Sequence, residues 1–443
     1  MRSVFSIICL LGLVVTFVWA APTPAAIQKR SFKIERVRNT AFTGHNTPKQ
    51  LLKAHMKFGI RPPQALIDHI NAQAAAHQNA ATNKKKKGHK HGNGNGNAGT
   101  STTGTTTTNT TVDTATGSSV GTVTNTPTSG DVEFLSPVTI GGQTLNMDFD
   151  TGSSDLWVFN TGLSTADTTG HTLFDATQSS TFQELNGQTF SVSYGDGSSV
   201  SGTVGTDVVN IGGAVVNAQA VELATEVSQS FVQDTASNGL VGLAFSKLNT
   251  VQPTQQKTFF DNVQDSLTEP VLTANLRHDE AGSYEFGAID SSLFTGAMTF
   301  VDVETTQGFW QFTSSSFAIG NGSVQTGGAG QAIADTGTTL LLANDNIVNA
   351  YYSTVTGAEN NQQAGGITIP CDADLPDLQL EVGGQMATVK GSDILFEQVQ
   401  GNTCFGGLQA IDSDLMIFGD VFFKSNVVSF NIGNNTLGFA PHA

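Results

Sequence analysis

Charged side chains are scarce in these 443 residues: Asp, Glu, Lys and Arg make up only 13%. Apolar and small residues therefore abound, enough for one large core or two lobes. Cysteine is scarcer, at three. Cys9 lies in an apolar run at the front, so Cys371 and Cys404 allow a single intramolecular pairing. A disulfide there would stabilise by roughly 4 kcal/mol in the chain-entropy model. Two buried free thiols are the alternative, and an oxidising compartment argues against them. No apolar run after residue 20 is long enough to span a bilayer as a helix. Beyond residue 118 the histidines are only His171, His278 and His442, without metal-ligand spacing. Metal-dependent and histidine-based hydrolases are thus poorly supported, and no metal or cofactor is expected. His89 and His91 fall in a low-complexity tract and read as solvated.

What the chain does have is unevenly placed. Residues 1–118 carry 15 basic and 3 acidic side chains, a net of +12. Residues 119–443 carry 5 basic and 34 acidic, a net of −29. Val4 to Ala20 is almost wholly apolar, follows Arg2, and ends in Val18-Trp19-Ala20. That pattern predicts a signal peptide over 1–20 and an extracellular product without membrane attachment. Residues 21–118 read as a basic propeptide. It has helical stretches at Pro48–Lys57 and Pro63–Ala76, then a Gly/Asn and Thr/Ser linker that cannot bury a core. A basic segment of this kind fits docking on the acidic body better than nucleic-acid binding. Within the linker, Gly117-Ser-Ser119-Val-Gly121 matches the serine-hydrolase elbow, but no strand or helix flanks it.

From about Val132 the texture changes to short β-rich runs between Gly, Asn, Asp and Ser turns. Examples are Gln188–Tyr194, Val200–Ile211, Ala214–Leu223, Gln311–Ile319 and Val427–Ile432. An all-β body follows, with few helices, Thr258–Ser266 and Asn344–Tyr352 being the candidates. An internal echo divides that body. Met147-Asp-Phe-Asp150-Thr-Gly-Ser-Ser precedes Asn238-Gly-Leu-Val-Gly242, and Ala332-Ile-Ala-Asp335-Thr-Gly-Thr-Thr precedes Leu415-Met-Ile-Phe-Gly419. The Asp-to-glycine spacing is 92 residues in one half and 84 in the other. Two copies of one plan predict two related lobes, 119–294 and 295–443, each supplying one Asp.

The chemistry of that pair can be argued directly. An Asp at the end of an apolar strand, followed by Thr-Gly, sits where the chain turns sharply. Backbone N–H groups of the turn and the hydroxyls of Ser153 and Thr338 can reach its carboxylate. If the loops meet, the two carboxyls cannot both ionise, so their titrations split. One is then an acid and the other a base. Ordinary Asx turns are the alternative.

These motifs resemble those of the pepsin family, most closely the fungal penicillopepsin and aspergillopepsin type. The similarity runs from about Thr122 to Ala443. It includes Thr124-Asn-Thr-Pro-Thr, Pro137-Val-Thr-Ile-Gly-Gly, Ser193-Tyr-Gly-Asp-Gly-Ser-Ser, Asn249-Thr-Val-Gln-Pro and Gly438-Phe-Ala-Pro. The resemblance implies a bilobed pepsin-like acid protease fold with a central substrate cleft and few short helices. It implies an endopeptidase acting on proteins and peptides, open to pepstatin-type inhibitors, with a monomer as the default. Asp150 and Asp335 would activate a water between them; the shared-proton dyad of this family is a standard example of split titration. Thr151 and Thr336 would bond across the lobes, and Gly152 and Gly337 would contact the dyad.

Tyr194-Gly195-Asp196-Gly197-Ser198 reads alone as a hairpin tip. By resemblance it is a flap, with Tyr194 bonded to Trp157, and Gly195, Asp196, Ser198 and Thr339 at the substrate. Phe231 and Leu240 would line the pocket before the scissile bond, although each alone reads as core. The flap Asp of fungal members implies acceptance of Lys there, beside large hydrophobic residues. Lys57-Phe58-Gly59 resembles the point where family precursors place a lysine against the dyad, so Lys57 is the inhibitory candidate; a solvated helix-end lysine is the alternative. Asn109, Asn321 and Asn434 fit the N-glycosylation triplet. The acidic body predicts stability in acid and inactivation near or above neutrality.

Overall fold

A computed structural model describes residues 32–35, 37–38, 47–73, 75 and 134–443, apart from 195–197, 236 and 279. The predicted signal peptide, Asn109, the linker, Gly195 and Asp196 lie outside the described residues. The described body is mostly β, with short helices, as expected. Its strands form sheets of eight, seven, six and four members.

Glycine pairs set much of the register. Ile140-Gly-Gly-Gln143, Ile211-Gly-Gly-Ala214 and Val382-Gly-Gly-Gln385 each join paired strand ends. Both central glycines have positive φ in every case, from 53° to 105°. A two-residue hairpin turn whose twist matches the strands needs this conformation, and side chains resist it. The two helices expected in the body are present. Asn344 caps Asp345–Tyr352 by accepting from Ile347 N at 3.2 Å. Thr258 caps Phe259–Val263, which tightens into a 3-10 turn at Gln264–Ser266.

The sequence echo is a topological repeat. In the first half, Gly239–Gly242 runs parallel to Gln143–Asp150 and antiparallel to Leu156–Val158. In the second, Leu415–Phe418 runs parallel to Gln325–Ala334 and antiparallel to Leu341–Ala343. Each Asp-Thr-Gly therefore lies in a loop whose two limbs straddle a third strand. The strand into Asp150 alternates at first, then is buried at every position from Met147 onward. Covered parallel strands read that way. At the glycine closing each echo, two backbones meet too closely for a side chain. A Cβ on Gly242 would lie 2.6 Å from Asp155 N, and one on Gly419 would lie 2.2 Å from Thr338 O.

The six-stranded sheet takes strands from both halves of the body, including Val271–Asn275, Thr299–Asp302 and Asn426–Asn431. The main core follows suit: Phe149, Leu272, Trp310, Phe418 and Phe430 belong to one buried cluster. The Cys371–Cys404 disulfide is formed.

The leader departs from expectation in one respect. Its helix at Thr47–Lys57 and a second at 64–73 were legible, but it also contributes strands. Phe32–Glu35 adds to the edge of the six-stranded sheet beside Ser283–Phe286, and Val37–Arg38 pairs with Phe134–Leu135. A four-residue edge strand takes its order from the sheet it joins, so its own sequence carries little signal. Leu51, Ala54 and Leu66 of the helices pack with Ile333, Leu340, Leu342, Phe405 and Ile417 of the body.

Candidate active site

The two loops meet. Gly152 N donates to Asp150 Oδ1 at 2.8 Å, and Ser153 Oγ donates to Asp150 Oδ2 at 2.6 Å. The second loop repeats this arrangement. Gly337 N donates to Asp335 Oδ1 at 3.0 Å, and Thr338 Oγ1 donates to Asp335 Oδ2. Each turn thus orients its own carboxyl. The glycines have a further cause. A Cβ on Gly152 would sit 2.5 Å from Asp335 Oδ1, and one on Gly337 would sit 2.4 Å from Asp150 Oδ1. Only a hydrogen fits between one loop and the other loop's carboxylate.

Thr151 and Thr336 tie the loops beneath the carboxyls. Thr151 Oγ1 donates to Ala334 O at 3.0 Å, and Thr336 Oγ1 donates to Phe149 O at 2.7 Å. Each hydroxyl also accepts from the other loop, from Thr336 N at 3.0 Å and Thr151 N at 3.2 Å. These hydroxyls reach main-chain groups 183 to 187 residues away, so the two halves share one rigid floor.

Lys57, at the end of the helix Thr47–Lys57 in the basic N-terminal segment, lies on both carboxyls. Its Nζ is 2.7 Å from Asp150 Oδ1, and 3.0 and 2.9 Å from the two oxygens of Asp335. All three side chains are at most 5% exposed. Burial raises the Asp150 carboxyl, but the Lys57 charge and hydrogen bonds overcome it and hold the group at about 2. Burial also raises Asp335. Lys57 opposes this and the Asp150 charge reinforces it, leaving Asp335 at about 6. Burial works against the ammonium as well, yet the two carboxyls keep Lys57 above its usual value. Between about pH 2 and 6, the site therefore balances one ammonium against one carboxylate.

Trp157 Nε1 donates to Tyr194 Oη at 2.9 Å, and the Phe231 ring packs edge-on against both aromatics. Leu240 belongs to the same buried cluster. Tyr194 N donates to Ser198 O at 2.8 Å, closing the hairpin around the tip residues. Thr339 is buried beside the second loop. Asn321 and Asn434 are exposed, at turns. Among the described residues, no His, Cys, Asp and Glu group could hold a metal ion.

Sequence reasoning gave no role to the polar groups behind Tyr194: Asp155, Asn249 and Thr250 entered only as parts of motifs, and Glu222 not at all. Glu222 carried a signal, a carboxyl inside the apolar run Ala220-Val-Glu-Leu-Ala224.

Two carboxyls held by duplicated Asp-Thr-Gly loops, at the junction of two β halves, define an aspartic protease site. Residues 133–442 match the eukaryotic aspartyl protease family. The chain is 48% identical over 326 residues to penicillopepsin-2 of Penicillium janthinellum, covering 73% of this chain and 82% of that protein. It is 48% identical over 330 residues to aspergillopepsin-1 of Aspergillus oryzae, covering 74% and 84%. Aspartic protease PEP3 of Coccidioides posadasii matches at 43% over 437 residues, covering 96% and 93%. The chain belongs to the eukaryotic aspartyl protease family and is an aspartic endopeptidase of the fungal pepsin-like type.

Proposed function

We propose that this chain is the zymogen of a secreted acid endopeptidase, with Asp150 and Asp335 as its catalytic carboxylates and residues 21–118 as its inhibitory propeptide. The observation that carries the proposal is the Lys57 ammonium bridging both buried carboxyls. A cation there fills the position a hydrolytic water needs, and the leader helices cover body residues around it.

Once the leader leaves, the pair shares one proton and its titrations belong to both groups. The ionised member takes a proton from a water lying between them. The water oxygen bonds to the peptide carbonyl carbon while the protonated member gives its proton to the carbonyl oxygen. The resulting gem-diol breaks its C–N bond as one dyad carboxyl gives its proton to the departing nitrogen and the other takes a proton from a gem-diol hydroxyl, which restores the singly protonated pair. No acyl-enzyme forms. The N–H groups of Gly152 and Gly337, with Ser153 and Thr338, keep the carboxyls aimed throughout. Tyr194, anchored on Trp157, and the neighbouring Gly195, Asp196 and Ser198 close over the substrate. Phe231 and Leu240 favour a large hydrophobic side chain before the scissile bond, and Asp196 admits Lys.

Release of the leader is favoured by acid. The Asp150 pKa is depressed by Lys57, so this ion pair stabilises docking above the ordinary carboxyl value and is lost as pH falls toward about 2. Body carboxyls that face the basic leader act in the same sense. The mature protein begins near Ser119 and is monomeric, and Asn321 and Asn434 are its exposed glycosylation candidates.

The test is acid incubation of the secreted precursor with a denatured protein, with and without pepstatin, beside an Asp150→Asn variant. Pepstatin-sensitive cleavage that the variant lacks supports the proposal. No cleavage by folded, leader-free protein would identify a pepsin-fold binding protein instead. Asp196→Asn should abolish cleavage after Lys and spare cleavage after Phe or Leu; equal loss on both removes the role of Asp196.

A further inference from the structure

Behind Tyr194 lies a buried acid pair that the hydrolytic step does not use. Asp155 and Glu222 are each 1% exposed. Asp155 ends the first dyad loop, and Glu222 lies opposite Trp157 in the parallel pairing of Leu156–Val158 with Ala214–Val227. Asn249 Nδ2 donates to Asp155 Oδ1 and to Glu222 Oε1, both at 3.0 Å, and to Ser154 O at 3.2 Å. Asp155 Oδ1 also accepts from Thr250 N at 2.8 Å and from Thr250 Oγ1 at 3.1 Å. Glu222 Oε2 receives no N–H or hydroxyl. Both carboxyls thus converge on the single Asn249 amide nitrogen.

Two buried carboxyls held around one amide do not both ionise, so one of them keeps a proton. Asp155, which accepts three donors, is the better anion, so the proton belongs on Glu222. Burial, followed by the Asp155 charge, pushes Glu222 well above the usual carboxyl range. The other titratable groups that act on the pair are Asp150, whose charge raises Asp155, and Tyr194, a neutral phenol whose own ionisation both carboxyls oppose.

We propose that Asp155 and Glu222, sharing one proton, form a positioning pair for the Trp157–Tyr194 anchor, and that loss of this proton sets the upper pH limit of the flap. With the proton gone, two like charges would face each other around one amide in a water-poor site. They would force apart the strand carrying Trp157 and the strand carrying Glu222, and Tyr194 would lose the indole N–H that holds it. Glu222 has a raised pKa, so its contribution is complete below the ordinary carboxyl value and disappears as pH rises through the raised one. This inference rests on the proposed protease function, because the anchor it concerns belongs to that site's flap.

The test compares wild-type mature enzyme with Glu222→Gln and Glu222→Ala, following tryptophan emission, KM and kcat from about pH 4 to about pH 8. Glutamine offers Asp155 an N–H that cannot ionise. The alkaline midpoint of the emission change and of the KM rise should move up by about one pH unit, with kcat in acid within about twofold of wild type. Alanine leaves Asp155 without that donor and should raise KM several-fold even in acid. In the wild type, an infrared band of a protonated carboxyl should persist above pH 6 and fade together with the emission change. A shared midpoint in wild type and Glu222→Gln, or a band that vanishes with the ordinary carboxyls, overturns the inference. An emission midpoint that shifts in protein showing no proteolysis would refute the protease reading and keep the pair.

Discussion

On the proposed zymogen reading, removing the Lys57 ammonium should unlatch the basic N-terminal segment without cutting it. Lys57 makes three contacts of 2.7 to 3.0 Å with two carboxyls that are at most 2% exposed. Breaking a buried ion pair by deleting one partner costs about 3–5 kcal/mol, because the other charge stays buried. In Lys57→Ala part of that cost is recovered, since Asp150 can take up a proton once the ammonium is gone. A net loss of about 3 kcal/mol remains at mildly acidic pH, or on the order of 100-fold in the leader's docking equilibrium. The assay is binding of immobilised pepstatin by full-length precursor at about pH 6, with the leader verified as intact by mass. Wild-type precursor should be largely excluded and Lys57→Ala retained, while Lys57→Arg should give an intermediate result. If Lys57→Ala stays latent and unbound until the leader is cleaved, the apolar contacts of Leu51, Ala54 and Leu66 hold the leader alone, and the electrostatic argument is wrong.

Thr336→Ala should lower unfolding stability by about 2–4 kcal/mol, because Phe149 O and Thr151 N lose their buried partner; Thr336→Ser should restore most of it in urea titrations, and an unchanged midpoint for Ala would refute the shared floor. Gly337→Ala places a methyl 2.4 Å from Asp150 Oδ1. It should cut kcat by about 100-fold or more with circular dichroism unchanged, and near-normal turnover would show that the loops yield easily. In the precursor, Asp150 is depressed to about 2, so its contribution is lost as pH falls below the ordinary carboxyl range. Asp335 is raised to about 6, so its contribution is lost as pH rises through that value. Rapid thermal scans of intact precursor should therefore peak near the ordinary carboxyl value of about pH 4 and decline toward about pH 6, and a melting temperature that rises from about pH 4 to 6 would contradict the Asp335 shift.

The two Asp-Thr-Gly turns and the hydroxyls beside them were legible because their chemistry is local, whereas the cross-loop bonds of Thr151 and Thr336 and the Tyr194–Trp157 contact were expected only from the family resemblance. An Asp at a strand end, a Gly and a hydroxyl form a turn whose bonds lie within three residues, as Asp150 with Gly152 and Ser153 shows. Hairpin register was local too, since Gly-Gly has few conformations that side chains share. The duplication told the reader that two such turns exist. The resemblance supplied Lys57 as a candidate, while its composition alone allowed a solvated residue.

Tertiary structure decided what depends on distance in space rather than in sequence. Gly152 binds its own Asp150 through its N–H while its bare Cα faces Asp335, and Thr151 reaches Ala334 across 183 residues. The leader strand Phe32–Glu35 exists because a sheet edge accepts it. The apolar run around Glu222 hinted at a buried acid, but its pairing with Asp155 was not legible, because only the fold brings both carboxyls to one Asn249 amide. Sequence thus determined the loops and their copy number; packing decided which carboxyls meet, and through burial and mutual charge, which of them holds the proton.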